Sequence, residues 1–332
     1  MSALSSSTPE WLPNFLVVGA AKAGTTALHE YLGQHPEVFL PDRQEPSFFA
    51  FDGQPINFRG PNGSYAAVNQ TAVRSLAEYE ALFSVASPGA LRGEVSPVYL
   101  YWPGTAERIR ARLPQVKLCI ILRDPANRAF SGYMHAVREG KEPEADFASA
   151  LAAEPQRIRD NWGFMWRYAD LGHYPAQIRR YLDVFPPEQL EIVLYDDLRR
   201  DPAALCQRLF RFVGADPAFR PDTSVRHNVS GRPRSRGIHD LLRRDGPLRG
   251  VARTAAPILG RERLRRAQAR LSSANLAEQT FPAQQRAQLV AAFRSEVEEL
   301  AELIGRDLQA WLEIKESGAG DQAGGHGDDR HS

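Results

Sequence analysis

Residues 14–28 read NFLVVGAAKAGTTAL, and this stretch decides the fold class. An apolar run of strand length is followed by a turn of Gly and Ala, and a helix-compatible run then opens on the hydroxyls of Thr25 and Thr26. A strand, a small-residue loop and a helix N-terminus in this order form a site for phosphate-like anions, because backbone amides point at the ligand. The stretch therefore predicts an anion-binding loop in an α/β fold.

The position of the lysine in this loop narrows the kind of anion. Gly19 and Gly24 overlap the nucleotide-binding pattern G-x-x-x-x-G-K-[ST], but Thr25 stands where that pattern has its Lys. In an NTPase that Lys reaches the β- and γ-phosphates. Here Lys22 lies inside the loop, where it would neutralise a bridging oxygen. A solvated Lys on a plain Gly/Ala turn is the alternative interpretation.

A second motif follows the buried strand predicted over Lys117 to Leu122. Asp124 and Pro125 are typical of a helix start, with Asp as the N-cap and Pro as the first helical residue. Arg123 is therefore expected at the carboxyl end of a strand, and Ser131 about two turns into the helix, roughly 10 Å along its axis. Nucleotides bind at this edge of open α/β sheets.

Together these motifs resemble the sulfotransferases that use 3′-phosphoadenosine-5′-phosphosulfate (PAPS), and with other similar runs the resemblance covers residues 14–236. It implies an α/β fold with a P-loop-like, mainly parallel central sheet and helices on both faces. It also implies that Arg123 and Ser131 hold the 3′-phosphate, although Arg123 could instead pair with a carboxylate as a structural residue. Arg128 is expected on the surface or in the scaffold. The phosphosulfate is expected to be bound by Lys22, Ala23, Gly24, Thr25 and Thr26.

A third motif predicts the catalytic base. Glu94, Ser96, Pro97 and Tyr99 match the pattern Glu-x-[ST]-Pro-x-Tyr, which resembles the segment carrying the catalytic Glu of glycan sulfotransferases. A carboxylate at the end of a buried strand can be desolvated enough to accept a proton near neutral pH. A structural salt bridge is the alternative interpretation of Glu94. The competing bases are His29, His35, His135 and His173.

Residues 42–51 read DRQEPSFFAF and resemble the Lys-Glu-Pro-x-Phe-Phe segment that follows the first helix in the same family. Gln44 stands where a Lys is common, which removes any role of that Lys here. The aromatic residues are expected in the core or in a pocket wall. The following loop, from Asp52 to Gln70, is rich in Gly, Pro and Asn and is expected to form part of the acceptor surface.

A chain of 332 residues can bury a sizeable core and could hold one large α/β domain or two ordinary ones. We expect an N-terminal lead over residues 1–13, the domain over 14–314 and a disordered tail over 315–332. The balance of 41 Lys and Arg against 40 Asp and Glu gives no global field. Without a signal-like N-terminus or a run of about 20 apolar residues, the sequence predicts a cytoplasmic protein with no membrane span.

An Arg-rich segment occupies residues 226–270. The resemblance implies that its first part, with Gly231 and Arg232, closes over the adenosine of the donor. A solvated basic face, or a docking surface for an acidic acceptor, is the alternative interpretation.

The sequence thus predicts transfer of a sulfuryl group from PAPS to a hydroxyl or amine by in-line displacement, leaving 3′-phosphoadenosine-5′-phosphate (PAP). Lys22 would stabilise the leaving phosphate and Glu94 would be the base, with no metal required. The acceptor would be a glycan, a lipid-linked sugar or a small molecule. A P-loop kinase or NTPase is the first alternative. A nucleic-acid-binding protein using the Arg-rich segment is the second, although no nucleic-acid partner is expected.

Overall fold

The computed structural model describes residues 12–64, 66–224, 232–233, 276–277 and 280–314, the two short pieces by their backbone alone. Within these residues, five parallel strands form the central sheet in the order β2-β3-β1-β4-β5. The expectation of an α/β fold with a mainly parallel sheet flanked by helices is confirmed. The strands are β1 (Phe15–Gly19), β2 (Val38–Phe39), β3 (Leu91–Val95), β4 (Lys117–Leu122) and β5 (Leu190–Leu194).

The sequence of the central strands explains their position. All five residues of β1 and the last five of β4 are buried, so both faces of each strand are covered. Strands buried on both faces are expected to read as continuous apolar runs, as FLVVG and KLCIIL do. Gly93 in β3 is required by packing, because a Cβ there would lie 2.1 Å from the ring of Phe15 on β1.

Helices flank the sheet and fill most of the connections. Before β4 they are α1 (Thr25–Leu32), α2 (Phe48–Phe51), α3 (Val68–Thr71), α4 (Leu76–Ala81), α5 (Val98–Tyr101) and α6 (Thr105–Arg112). After β4 they are α7 (Pro125–Arg138), α8 (Phe147–Arg159), α9 (Tyr174–Leu182), α10 (Tyr195–Arg200), α11 (Pro202–Val213), α12 (Ala283–Ile304) and α13 (Gln309–Leu312). A short antiparallel pair joins β6 (Arg232–Pro233) to β7 (Leu276–Ala277).

The strand order places the loops that carry the sequence motifs at one edge. From β1 the chain moves to one side for β2 and β3, and then to the other side for β4 and β5. The two directions diverge beside β1, and such a switch point at the carboxyl ends of parallel strands leaves a crevice for ligands. The Lys22 loop, the Arg123 corner and the start of α10 at Tyr195 all follow strand carboxyl ends there.

Local capping chemistry agrees with the predicted start of α7, and with the start that the similar Asp201-Pro202 pair predicts for a later helix. Asp124 accepts hydrogen bonds from the amides of Ala126 and Asn127 at 2.9 and 3.2 Å, and α7 begins at Pro125. Asp201 caps α11 in the same way.

The sequence predicts a helix from Thr71 to Phe83, and this prediction was wrong in extent: α3 ends at Thr71 and α4 starts at Leu76, because Ala72 is extended and the Ser75 side chain caps the new start. Residues 143–167, which the sequence predicts to be helical and irregular, contain α8 and then a 3₁₀ turn over Phe164–Trp166, in agreement with that prediction.

The long C-terminal helix α12 packs against α7 and α9. Its buried stripe agrees with the helix that apolar residues at helical spacing predict over Pro282 to Ile304. In the ranges the structure describes, no helix is both long and apolar enough to cross a membrane. The predicted lead and tail, residues 1–13 and 315–332, lie almost wholly outside the described residues, and the division into three regions stays a prediction. The buried stripe of α12 consists of Leu289, Val290, Phe293, Val297 and Leu300.

Candidate active site

A cavity of about 1330 Å³ opens at the carboxyl edge of the sheet, beside the switch point. Small-molecule sites usually measure about 300–1,000 Å³, so this space can hold a nucleotide and part of a second molecule. The sequence-predicted residues that line the cavity are Lys22, Gly24, Thr25, Thr26, Arg123 and Ser131.

The loop between β1 and α1 has the shape that an anion site needs. Gly24 is left-handed (φ 102°), and a Cβ there would lie 2.8 Å from Cδ2 of Leu198, so only glycine fits this turn. No side chain caps α1, which leaves its first amides at the cavity. The predicted role of the Ala23 amide fits less well, because that amide donates to the Ala20 carbonyl at 3.2 Å and Ala23 is buried.

Lys22 is a half-buried residue of the cavity lining, and its backbone is left-handed (φ 67°). Its pKa is lowered from 10.5 to about 8, chiefly because burial removes hydration and then because the charges of Arg138 and Arg123 repel it, while Glu45 opposes the fall. An anion bound beside Lys22 would relieve this penalty, since an opposite charge favours the protonated form.

Glu45 is the carboxylate that the structure brings to Lys22. It borders the cavity, and its backbone is also left-handed (φ 51°). Glu45 is an exposed residue, and partial loss of hydration at its carboxyl group raises its pKa above 4.5, opposed by the charge of Lys22. A side chain held in a sparsely populated backbone conformation at a cavity is a common feature of functional sites.

Arg123 ties the two predicted motifs together. Its Nη1 donates to the carbonyl of Lys22 at 3.0 Å, and its guanidinium lies 4.6 Å from the centre of the Tyr195 ring. Ser131 is buried in α7 and also borders the cavity. Arg123 and Ser131 therefore share one wall with the loop, as their spacing predicts.

The structure places Glu94 away from this cavity. Glu94 is 1 % exposed and is not among the described residues that line the cavity. Its carboxylate accepts hydrogen bonds from the hydroxyls of Tyr79 and Ser96, and Tyr99 also bonds to it. Burial raises the pKa of Glu94 to about 7, and the three hydroxyls oppose the rise. This enclosed position does not agree with the interpretation of Glu94 as the base, nor with a salt bridge.

Arg128 is not a surface residue: it is 1 % exposed, in the cavity wall. It donates to the carbonyl of Tyr168, and its charge lies near Glu154. These contacts agree with a scaffold role for Arg128, which was one of the two alternatives expected from the sequence.

Three of the four candidate histidines lie in surroundings that do not suit a general base. His35 is buried and contacts the Asp216 carbonyl at 3.0 Å, while His173 pairs with Glu296 at 2.7 Å. His135 does border the cavity, but burial and the charges of Lys22, Arg138 and Lys141 lower its pKa to about 2.

His29 lies beside a separate small recess next to Glu45. The recess is lined by Thr25, Thr26, His29, Gln44, Glu45 and Val95.

Glu45 was not among the predicted site residues, although it lies in the segment DRQEPSFFAF. Its acidic side chain was the only indication of a role in the site, because nothing in the spacing shows that the chain after β2 returns to the Lys22 loop. Of the two late-loop residues, Gly231 lies outside the described residues. Arg232 is described by its backbone in β6, which lies beside α7.

Comparison with known proteins gives a consistent result. A model of the sulfotransferase family matches residues 13–219. Human bifunctional heparan sulfate N-deacetylase/N-sulfotransferase 3 is 31 % identical over 217 residues, which is 64 % of this chain and 23 % of that protein. Human heparan sulfate glucosamine 3-O-sulfotransferase 3B1 is 28 % identical over 213 residues, which is 64 % of this chain and 49 % of that protein.

Among solved structures, a sulfotransferase from Alicyclobacillus acidocaldarius is 33 % identical and superposes with a TM-score of 0.70, covering 91 % of this chain and 99 % of that one. The chain thus spans about a quarter of the N-deacetylase/N-sulfotransferase it matches, and nearly the whole of the bacterial protein.

Proposed function

This chain belongs to the sulfotransferase family, and from that premise we propose that it transfers a sulfuryl group from PAPS to a hydroxyl or amine of an acidic glycan or small molecule. The observation that carries the proposal is the placement of Lys22 and Glu45 at one cavity, together with Arg123 and Ser131.

The residues at the cavity fit a nucleotide sulfate donor. Lys22, the hydroxyls of Thr25 and Thr26 and the first amides of α1 would bind the phosphosulfate end, because this end of a helix favours anions. Arg123 and Ser131 would hold the 3′-phosphate, with the free arm of the guanidinium as a charge-assisted donor. Gly231 and Arg232 keep their proposed place in a loop that covers the adenosine.

For the chemical step we replace Glu94 by Glu45 as the base. Glu45 would accept the proton of the acceptor hydroxyl or amine as the acceptor–sulfur bond forms and the bond from sulfur to the 5′-phosphate oxygen breaks. Lys22 would stabilise the negative charge that develops on that leaving oxygen. The charges of Glu45 and Lys22 interact in the folded protein. The two side chains would therefore lie on either side of the transferred sulfuryl group, with Glu45 at the acceptor and Lys22 at the leaving oxygen.

The remaining cavity wall supports an acidic acceptor. Beyond Glu45 the cavity is bordered by Arg138, Lys141 and Arg167 and by the Trp166 side chain. Arg167 is partly neutralised by Asp170 at 3.8 Å and Arg138 by Glu139 at 3.7 Å, and with Lys141 the wall still has an excess of positive charge. A basic wall with an aromatic side chain favours a sugar that carries carboxylate or sulfate groups. This is consistent with the heparan sulfate named for the similar proteins.

A screen with ³⁵S-labelled PAPS tests the proposal. The acceptors are N-deacetylated heparosan, uncharged oligosaccharides and simple phenols, and the product is identified by mass spectrometry. We expect sulfated product with the acidic glycan in the presence of EDTA, and at least about a hundredfold less with the Glu45→Gln variant. Absence of transfer to every acceptor, together with absence of PAP binding, would contradict the proposal.

A further inference from the structure

We propose that Glu94 is a positioning residue: through Ser96 and Tyr99 it fixes the segment from Ser47 to Phe49, and thereby the backbone of Glu45. The inference rests on the proposed function, in which Glu45 is the base. It assigns a role to a buried carboxylate that the chemical step does not use.

The first arm of this network runs through Ser96. The Ser96 hydroxyl donates to Oε1 of Glu94 and accepts a hydrogen bond from the amide of Ser47 at 3.0 Å. The Ser47 hydroxyl donates to the carbonyl of Glu45 at 3.1 Å. A short chain of hydrogen bonds therefore leads from Glu94 to the backbone of the base.

The second arm runs through Tyr99. Its hydroxyl bonds to Glu94 and accepts a hydrogen bond from the amide of Phe49 at 3.2 Å. Glu94, Ser96 and Tyr99 are each 1 % exposed or less, so water does not compete for these bonds. In such surroundings an unpaired hydroxyl or amide is costly, which makes the arrangement specific.

The backbone of this segment needs external support. Glu45 and Ser47 both have left-handed backbone (φ 51° and 56°), which is unfavourable for residues other than glycine. In the described part of the chain, hydrogen bonds from outside reach this segment through the two arms, through the Val73 amide on the Pro46 carbonyl (2.8 Å) and through Arg108 on the Phe49 carbonyl (2.6 Å). Only the two arms lead to Glu94. Loosening the arms would let Glu45 turn away from Lys22.

Tyr79 provides a matched control. Its hydroxyl is the third donor to Glu94, but its ring holds the segment by stacking on Phe48 with centroids 4.7 Å apart. Tyr79→Phe removes a hydrogen bond to the same carboxylate and keeps both arms. Ser96→Ala and Tyr99→Phe each remove one arm.

The test combines kinetics with hydrogen–deuterium exchange. With saturating PAPS, we expect Ser96→Ala and Tyr99→Phe to lower kcat about tenfold, Tyr79→Phe to change it less than about twofold, and all three to bind PAP like the wild type. Peptides covering residues 44–51 should exchange faster in the two arm variants alone. Equal kcat in all three variants and the wild type, or unchanged exchange in the arm variants, would overturn the inference.

Variants of Glu94 separate positioning from base catalysis. The hydroxyls can rotate to satisfy an amide, so Glu94→Gln should keep kcat within about threefold of the wild type, while Glu94→Ala should lose at least tenfold. Loss in Glu94→Gln as large as in Glu45→Gln would mean that Glu94 is the base. If the wild type transfers no sulfuryl group, the proposed function fails, and the exchange data still decide whether the network holds the segment.

Discussion

The protonation of Lys22 sets an upper pH limit on activity. With a pKa of about 8, the free enzyme has about 90 % of its Lys22 side chains protonated at pH 7, half at pH 8 and about 1 % at pH 10. If only the ammonium form stabilises the leaving oxygen, kcat/KM for PAPS falls by about fifty-fold between pH 8 and pH 10.

The assay is a pH profile of kcat/KM for PAPS with a hydroxyl acceptor, which does not itself titrate below pH 10. Lys22→Arg keeps the positive charge throughout, so its remaining activity should show no fall near pH 8. Glu45→Gln should move the fall to lower pH, because Glu45 supports the charge of Lys22. A flat wild-type profile up to pH 10, or the same fall in Lys22→Arg, would refute the role of Lys22.

Three further predictions concern other parts of the account. Glu45→Gln should lower kcat by about 10²–10⁴-fold with PAP affinity retained in calorimetry, and a smaller loss than threefold would exclude it as the base. Arg286 donates to Asp124 at 2.9 Å and so holds the corner of the chain that carries Arg123. Arg286→Met should therefore weaken PAP binding about tenfold. Arg294→Met on the same helix is the control, because Arg294 is exposed and pairs loosely with Glu298; equal affinity in both variants would contradict this. The pKa of Glu94 rises from 4.5 to about 7 on folding, so its contribution to the free energy of unfolding is greatest below pH 4.5 and falls by about 3 kcal/mol as pH rises to 7. Urea unfolding from pH 4.5 to 8 should show this slope in the wild type relative to Glu94→Gln, and parallel curves would contradict it.

The sequence predicted the central part of the fold because that part depends on local signals. Strands β1 and β4 are buried on both faces and read as continuous apolar runs, and the starts of α7 and α11 have an Asp cap followed by Pro. The carboxyl ends of β1 and β4 bring the Lys22 loop to Arg123, as the general geometry of parallel sheets requires.

The choice between the two carboxylates could not be made from the sequence. Glu94 has the desolvated setting that favours a raised pKa, and that part of the reasoning agrees with a pKa of about 7. What the sequence does not contain is the direction in which the side chain points. The strand places Glu94 against the hydroxyls of Tyr79 and Ser96, whereas the left-handed backbone of Glu45 directs another carboxylate to the cavity.

The break between α3 and α4 has a similar origin. A Ser side chain that caps a helix competes with continuation of the preceding turn, and tertiary contacts decide which wins. The Ser75 hydroxyl accepts a hydrogen bond from the amide of Glu78 at 3.2 Å, and the new helix stacks the ring of Tyr79 on that of Phe48. A packing contact with a distant segment thus fixed a boundary that propensity alone left open.

Calorimetric titration in EDTA tests the central claim most directly, because it needs no knowledge of the acceptor. The account predicts that PAP binds at least about tenfold more tightly than adenosine 5′-monophosphate, since Arg123 and Ser131 would hold the 3′-phosphate, and that Arg123→Ala removes this difference. Equal binding of the two nucleotides by the wild type, or binding of ATP with Mg²⁺ and not of PAP, would contradict it.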